Sequence, residues 1–237
     1  MKYTMNAVLP QNGLDSNGNI TPFAVLNLFQ DAANIHGEIL GVSFEKMLEK
    51  NLLWVVTRIR FEVCGNISEG QELLVTTWPL APSRVGYERD YLITDNNGNI
   101  LIRGSSNWAV IDADTRHLSP SENFYNTDEL CSERAFDTRS KRIRNFDADK
   151  KVCEVVPDQS MIDCNNHVNN THYASFAQMA LGEYDRKISA FQIDYHREVL
   201  CGQSLSLYTA QDGEVSLVKG ENSDGELMFC ASAQFCQ

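Results

Sequence analysis

The sequence reads Asp163-Cys164-Asn165-Asn166-His167-Val168-Asn169-Asn170 in its second half, and an apolar run with helical character follows at residues 174–181. A carboxylate, an amide and an imidazole occupy the alternate positions 163, 165 and 167. If the backbone is extended there, the three side chains point the same way. Asn169 or Asn170 can cap the following helix, whose first N–H groups suit a developing oxyanion. The alternative interpretation is a plain polar turn with a helix cap.

An earlier stretch, Asp15-Ser16-Asn17-Gly18-Asn19-Ile20, has the same layout as residues 163–168 at a constant offset of 148 positions (163 − 15). An apolar helical run follows both copies. Two copies of one unit predict a duplicated domain. Asn19 stands where His167 stands, so only the second copy has an imidazole that can exchange a proton near neutral pH. We therefore predict one active site per chain, with the first copy as a scaffold.

The apolar pattern predicts a helix and an antiparallel meander in each copy. Thr21-Pro22 is a typical helix start, and apolar residues recur after it at three- and four-residue steps. Further helices are predicted at residues 44–50 and 170–184. Strands are predicted at residues 3–9, 53–63, 72–79, 85–95, 100–111, 151–156, 188–199, 203–211, 214–220 and 226–235. A helix followed by a long meander indicates a sheet wrapped around a buried helix.

The length and composition suit one large domain or two small ones. The chain has 237 residues, of which 43% are hydrophobic. We place a first unit at residues 1–120, a polar linker at 121–149 and a second unit with the active site at 150–237. No apolar run approaches the roughly 20 residues of a membrane span. The N-terminus lacks the apolar core of a signal peptide.

The charge and the cysteines exclude several partners and sites. A net charge of −12 argues against a nucleic acid or an anionic membrane as a partner. One local exception is a basic cluster, which we interpret as part of a solvated linker. The cluster consists of Arg139, Lys141, Arg142 and Arg144. The seven cysteines are odd in number and lack metal-ligand spacing, which fits a reducing cytoplasm and predicts no metal site.

Several segments resemble those of a known family, the acyl-acyl carrier protein thioesterases. The run from Asp163 to Asn170 is similar to the active-site signature of that family. Five other segments resemble family segments and occur in the same order. They are residues 54–58, 89–93, 106–110, 115–119 and 195–198. The resemblance extends over most of residues 15–205, and the ordered set is more specific than any single motif.

The resemblance implies an α+β double hotdog fold, with two units that each have a long helix clasped by an antiparallel sheet. It implies hydrolysis of the thioester between a fatty acyl chain and the phosphopantetheine arm of acyl carrier protein. We expect neither a cofactor nor a metal. Plant members carry a transit peptide and a hydrophobic N-terminal region. This sequence has neither, so we expect a bacterial, cytoplasmic member.

The family assigns roles to the equivalents of Asp163, Asn165, His167 and Glu198. On this resemblance we expect Glu198 to be the general base, with His167 as the other candidate. Asn165 and His167 orient the water and the carbonyl, and Asp163 fixes Asn165 or nearby backbone. Backbone N–H groups at the start of the second hotdog helix hold the oxyanion. Without the resemblance, Glu198 reads as a surface carboxylate beside Arg197.

Cysteine chemistry is not expected at this site. The family often has a cysteine directly after the glutamate of its Tyr-Arg-Arg-Glu segment, and here that position is Val199. A mechanism with a thiolate at that position is therefore excluded. Cys201 lies two residues further on, and we interpret it as a small apolar residue.

The acyl chain needs a dry apolar tunnel beside the polar cluster. We assign Asn169 and Asn170 to substrate binding next to the catalytic residues. The first helix supplies the tunnel candidates Phe23, Leu26 and Phe29. Two further tunnel candidates are Leu28 and Ile59. Ordinary core packing is the alternative for each apolar residue.

Three other functions remain open at this point. The first is hydrolysis of acyl-CoA, because coenzyme A and the carrier protein share the pantetheine arm. The second is a hotdog hydratase or dehydratase. The third is a non-catalytic module that binds acyl thioesters, against which the asymmetry between Asn19 and His167 argues. The sequence leaves open a homodimer and the preferred acyl length.

Overall fold

A computed structural model of the chain describes residues 1–83, 86–120, 124, 130–148, 150–183 and 186–236. The helices are α1 (Pro22–Ile39), α2 (Phe44–Leu48) and α3 (Asn170–Leu181). The strands are β1 (Tyr3–Val8), β2 (Leu52–Val63), β3 (Glu72–Pro79), β4 (Tyr87–Thr94), β5 (Ile100–Asp112), β6 (Lys150–Val155), β7 (Ile188–Tyr195), β8 (Leu205–Asp212), β9 (Val215–Glu221) and β10 (Leu227–Phe235). Each predicted helix and strand is present. The predicted strand start at residue 85 and the predicted helix end at residue 184 lie outside the described residues.

The chain divides into two compact units, Met1–Leu9 with Asn27–Ser140 and Pro10–Leu26 with Lys141–Gln237. In the first unit the strand order is β1-β3-β4-β5-β2, and in the second it is β7-β10-β9-β8-β6. Neighbouring strands within each unit are antiparallel. Five antiparallel strands with a helix, formed twice, confirm the predicted double hotdog fold. None of the described helices has the length and apolar character needed to cross a membrane.

These unit boundaries differ from those expected at residues 120 and 150. Residues 10–26, with the first polar stretch, belong to the second unit, so α1 begins in one unit and ends in the other. Part of the expected linker packs on the first unit. Trp78 donates its indole N–H to the carbonyl of Glu133 at 2.8 Å, and the N–H of Ala135 donates to the carboxylate of Asp90 at 2.8 Å. Main-chain groups make these contacts, so side-chain polarity does not reveal them.

The main chain at the basic cluster is held by hydrogen bonds, while its four basic side chains are exposed, as expected for a solvated segment. Arg139 lies 3.1 Å from Glu88, and the carbonyl of Lys141 accepts a hydrogen bond from the Gln192 amide at 2.8 Å. The N–H of Ile143 donates to an Asp194 carboxylate oxygen at 3.0 Å. The segment that begins at Lys141 therefore follows β7 in the second unit.

A helix aromatic fills the space left by a strand glycine in the first unit. Phe29 of α1 stacks on Tyr91 of β4, with ring centroids 4.2 Å apart and an interplanar angle of 15°. Tyr91 pairs across the strands with Gly104 of β5. A Cβ atom added to Gly104 would lie 2.2 Å from the Cε2 and Cζ atoms of Phe29. Gly104 is thus required for space.

Gly104→Ala is expected to destabilise the protein by about 1–3 kcal/mol, because the new methyl group overpacks the ring of Phe29. Urea unfolding measures the loss. Gly37→Ala in α1 is the matched control, since its added Cβ would meet only the carbonyl of Val42 at 3.8 Å. Adding Phe29→Leu to Gly104→Ala is expected to recover part of the stability in a double-mutant cycle. Equal unfolding midpoints for Gly104→Ala and wild type would show that the ring moves aside freely.

Candidate active site

The two polar stretches fold into the same turn. In the second, the N–H of Asp163 donates to the carbonyl of His167 at 2.8 Å, and the N–H of Asn166 donates to the carbonyl of Asp163 at 3.1 Å. One carboxylate oxygen of Asp163 accepts the N–H groups of Asn165 and His167 at 2.8 and 3.4 Å. Asp15 forms the equivalent four bonds at 2.8, 3.0, 2.9 and 2.9 Å. The repeat seen in the sequence is therefore a structural repeat.

The backbone at residues 163–167 forms a turn, so the condition for a shared side-chain direction, an extended backbone, is not met. Ile162 pairs with Val168 across the turn, and Asn166 has a φ of +62°. At the equivalent position of the first copy, Gly18 has a φ of +77°. Asn tolerates this left-handed conformation better than most residues. Alternate positions do not share a face in such a turn, and Asp163 holds its own main chain.

Turns that begin with an aspartate occur at residues 15–19, 95–99 and 163–167, and the side chain at the fifth position has a different partner in the last one. Asn19 donates its side-chain amide back to Asp15 at 3.3 Å, and Asn99 does the same to Asp95 at 2.8 Å. The Nε2 atom of His167 lies 3.2 Å from Glu198 Oε2. An imidazole at the fifth position thus reaches a carboxylate outside the turn, which the asparagines do not do.

The structure brings together the two candidates for activating water. The side chains of His167 and Glu198 are 24% and 43% exposed, so solvent and a substrate can reach the pair. Arg197, the neighbour that suggested a surface role for Glu198, forms a salt bridge with Glu226 at 3.3 Å. The 3.2 Å contact is therefore an imidazole–carboxylate pair on the accessible surface of the second unit.

The end of β7 explains how Glu198 comes to face His167. The N–H groups of His196 and Arg197 both donate to the carbonyl of Met228, at 2.9 and 3.1 Å. This irregularity ends the strand at Tyr195, earlier than the predicted 199, because two residues share one acceptor. Glu198 follows directly and leaves the sheet.

Main-chain bonds hold the two segments that carry the pair. The N–H of Val168 donates to the carbonyl of Val199 at 2.8 Å, and His167 forms an antiparallel bridge with Leu200. Val199 is fully buried, so the position at which the family often has a cysteine points into the core. Cys201 is exposed and lies in the following turn.

Asn169 caps α3, as one of the two predicted alternatives. Its side-chain oxygen accepts the N–H and the hydroxyl of Thr171, each at 3.1 Å, and its carbonyl accepts the N–H of His172 at 2.9 Å. These bonds occupy two of the first-turn N–H groups that were expected to hold the oxyanion. The Tyr195 hydroxyl donates to the carbonyl of Asn170 at 3.0 Å and fixes the same helix end.

The apolar candidates divide into one partly accessible ring and a buried group. Phe23 is half-buried, and its ring lies against the imidazole of His172 with centroids 5.0 Å apart. Burial lowers the pKa of His172, although Asp158 raises that pKa in part, and the net shift favours the neutral imidazole beside Phe23. The other four candidates, Leu26, Leu28, Phe29 and Ile59, are at most 9% exposed. Of the five apolar candidates, Phe23 is therefore the one whose side chain is accessible enough to contact a ligand.

Tyr173 is a residue near the site that the sequence did not single out. Its phenol oxygen accepts the N–H of Val199 at 3.0 Å, directly after Glu198. One signal was available, because the equivalent position in the first copy is Val25 (173 − 148), whose side chain cannot accept a hydrogen bond. Within the described part of the chain, no group of three or more His, Cys, Asp or Glu side chains is arranged to hold a metal ion.

Two antiparallel helix-and-sheet units, one with a paired imidazole and carboxylate, define the chain as a double hotdog protein with a polar site in its second unit. Two family models match it. The acyl-ACP thioesterase N-terminal domain matches residues 1–128, and the acyl-ACP thioesterase C-terminal domain matches residues 146–229. The chain belongs to the acyl-ACP thioesterase family, which confirms the resemblance drawn from its motifs.

Plant proteins are among its relatives. The chloroplastic palmitoyl-acyl carrier protein thioesterase of Arabidopsis thaliana is 32% identical over 225 residues, which cover 84% of this chain and 53% of that protein. The chloroplastic oleoyl-acyl carrier protein thioesterase 1 of the same plant is 24% identical over 95% of this chain and 68% of that protein. The chain thus spans about half the length of the palmitoyl relative.

Solved structures share the fold over the whole chain. An acyl-ACP thioesterase from Bacteroides thetaiotaomicron has a TM-score of 0.90 and 22% identity, covering 99% of this chain and 98% of that one. A 12:0-ACP thioesterase from Umbellularia californica has a TM-score of 0.87 and 22% identity, covering 99% and 97%. At these identities the likeness supports the fold alone.

Proposed function

We propose that this protein hydrolyses the thioester of fatty acyl-acyl carrier protein and releases a free fatty acid. The observation that carries the proposal is the 3.2 Å contact between His167 and Glu198 on the exposed face of the second unit. Membership of the acyl-ACP thioesterase family supports the substrate class. Its partner is then acyl carrier protein, with the acyl chain on the phosphopantetheine arm.

Glu198 acts as the general base in the proposed mechanism. Its carboxylate removes a proton from a water molecule as the water oxygen attacks the thioester carbonyl carbon. His167, through Nε2, keeps that carboxylate oriented. The tetrahedral intermediate then collapses, the carbon–sulfur bond breaks, and the proton held by Glu198 passes to the leaving sulfur. The products are a carboxylic acid and a free thiol, and no covalent enzyme adduct is formed.

Asn165 is the proposed donor to the carbonyl oxygen as that oxygen becomes negative. It lies in the exposed part of the turn, two residues from His167. Asp163 takes no direct part and holds the N–H groups of Asn165 and His167 in place. This division of roles moves the oxyanion donors from the capped helix start to the turn, because Asn169 already occupies the N–H of Thr171.

The test compares carriers and acyl chains with the purified protein. Saturated and unsaturated acyl chains of varied length are attached either to acyl carrier protein or to coenzyme A. Free thiol is followed with a chromogenic disulfide, and the fatty acid is identified by mass spectrometry. We expect thiol and fatty acid in equal amounts, with a higher kcat/KM for the carrier protein than for coenzyme A at the same acyl group.

The other functions predict different results in the same assay. A higher kcat/KM for coenzyme A would make the protein an acyl-CoA thioesterase. Hydration of an enoyl thioester with no thiol release would make it a hydratase, and ligand binding without turnover at any pH would make it a binding module. Sedimentation of the same preparation tests the homodimer. We also propose a cytoplasmic location, supported by the odd number of cysteines, and cell fractionation tests it.

A further inference from the structure

Tyr173 connects α3 with the segment that carries Glu198. The residue lies in the first turns of α3 and its side chain is 2% exposed. Its ring packs edge-on against the rings of Tyr195 and Phe229, with centroids 5.4 and 5.5 Å apart. Its oxygen accepts the N–H of Val199 at 3.0 Å. The packed ring fixes the phenol oxygen, and the oxygen fixes the main chain directly after Glu198.

Val199 is held through both of its main-chain polar groups. Its N–H donates to Tyr173, and its carbonyl accepts the N–H of Val168 at 2.8 Å. Glu198 directly precedes Val199, and His167 directly precedes Val168. The two bonds therefore lie one residue from each member of the pair. The bond from Tyr173 ties Val199 to the buried helix.

We propose that Tyr173 is a positioning residue, which fixes the main chain at Val199 so that the Glu198 carboxylate stays in contact with His167. The inference rests on the proposed thioester hydrolysis. Loss of the phenol oxygen leaves the buried N–H of Val199 without its acceptor, and the segment must shift to find another. A displacement of about 1 Å at a reacting group can cost about 10²-fold in rate.

The internal repeat gives an independent observation. At an offset of 148 residues, the position of Tyr173 is that of Val25 in the first copy, and the position of His167 is that of Asn19. Val25 is fully buried, and its side chain has no group that can accept a hydrogen bond. The phenol is thus present in the copy that has the imidazole and absent from the copy that lacks it, as a role in positioning requires.

The phenol stays protonated at working pH. Burial raises the pKa of Tyr173 well above its ordinary value. The hydrogen bond from Val199 lowers that pKa in part, and the negative charges of Glu198 and Asp163 raise it further. The neutral phenol oxygen keeps lone pairs that accept the N–H of Val199.

Tyr173→Phe in the full chain tests the inference, since it keeps the ring and removes only the oxygen. We expect kcat to fall about 10- to 100-fold while KM changes by less than about twofold. Tyr91→Phe is the matched control in the first unit. Tyr91 is 1% exposed, and its hydroxyl bonds Ser106 at 3.0 Å. It should lower the unfolding temperature comparably and leave kcat unchanged.

A second measurement separates positioning from stability. In a Glu198→Gln background, Tyr173→Phe is expected to cause little further loss, because the residue acts through Glu198. The same fold loss in both backgrounds would overturn the inference, as would a wild-type kcat in Tyr173→Phe. If wild type releases no thiol from any acyl thioester, the proposed function itself fails. In that case a crystal structure of Tyr173→Phe tests the positioning role independently of activity. An unchanged 3.2 Å distance between His167 and Glu198 would overturn that role.

Discussion

Glu198→Gln is expected to lower kcat/KM for thioester hydrolysis by about 10²- to 10⁴-fold, the usual contribution of a general base. Glutamine has the size of glutamate and can still contact His167, but its amide cannot take a proton from water. The side chain is 43% exposed, so the substitution should leave the fold intact. Steady-state kinetics with carrier-bound acyl chains measure the loss.

Glu226→Gln is the matched control for this change. Glu226 has a similar side-chain exposure of 44%, lies near the same segment and pairs with Arg197 at 3.3 Å. An exposed pair of this kind contributes little, about 0–1 kcal/mol. We expect the control to retain kcat/KM within about twofold. Near-normal turnover in Glu198→Gln would remove the proposed base.

His167→Asn is expected to lower kcat/KM by at least about 10²-fold, because it turns the second copy of the motif into the first. Asparagine at this position of the turn already occurs at Asn19, where the amide folds back onto Asp15 at 3.3 Å. The new asparagine should fold back onto Asp163 in the same way. The turn is kept while the contact with Glu198 is lost, so thermal unfolding should change little while kinetics change greatly.

Two companion variants sharpen this prediction. Asn19→His in the His167→Asn background should not restore activity, because the first copy has Val25 where the second has Tyr173. The double variant His167→Asn with Glu198→Gln should be no slower than the slower single variant, since the two side chains act as a unit. Multiplied losses in the double variant would mean that the imidazole and the carboxylate act independently.

The sequence predicted the elements of this fold well because most of its signals are local. Thr21 accepts the N–H of Ala24 as the expected helix cap, and each meander strand lies close to its predicted range. The constant offset between the stretches that begin at residues 15 and 163 indicated the duplication. Helix caps, hairpin turns and alternation all act within a few residues, so a single sequence carries them.

The parts that were not predicted depend on tertiary contacts. The alternation of polar residues at 163, 165 and 167 suggested an extended segment, but the positive φ of Asn166 makes it a turn. The role of Tyr173 was not predicted, because its hydrogen-bond partner lies 26 residues away in the sequence. The membership of residues 10–26 in the second unit has no local signal either. Each is decided by where distant main-chain groups meet.

The placement of residues 10–26 has a consequence for how the protein is made. These residues are translated well before the rest of their unit, Lys141–Gln237. Domains usually fold in order as they emerge during translation. Residues 10–26 cannot pack into their unit until residues 141–237 have been translated. Splitting the chain after Ser140 should therefore give two polypeptides that show thioesterase activity only when they are expressed in the same cell.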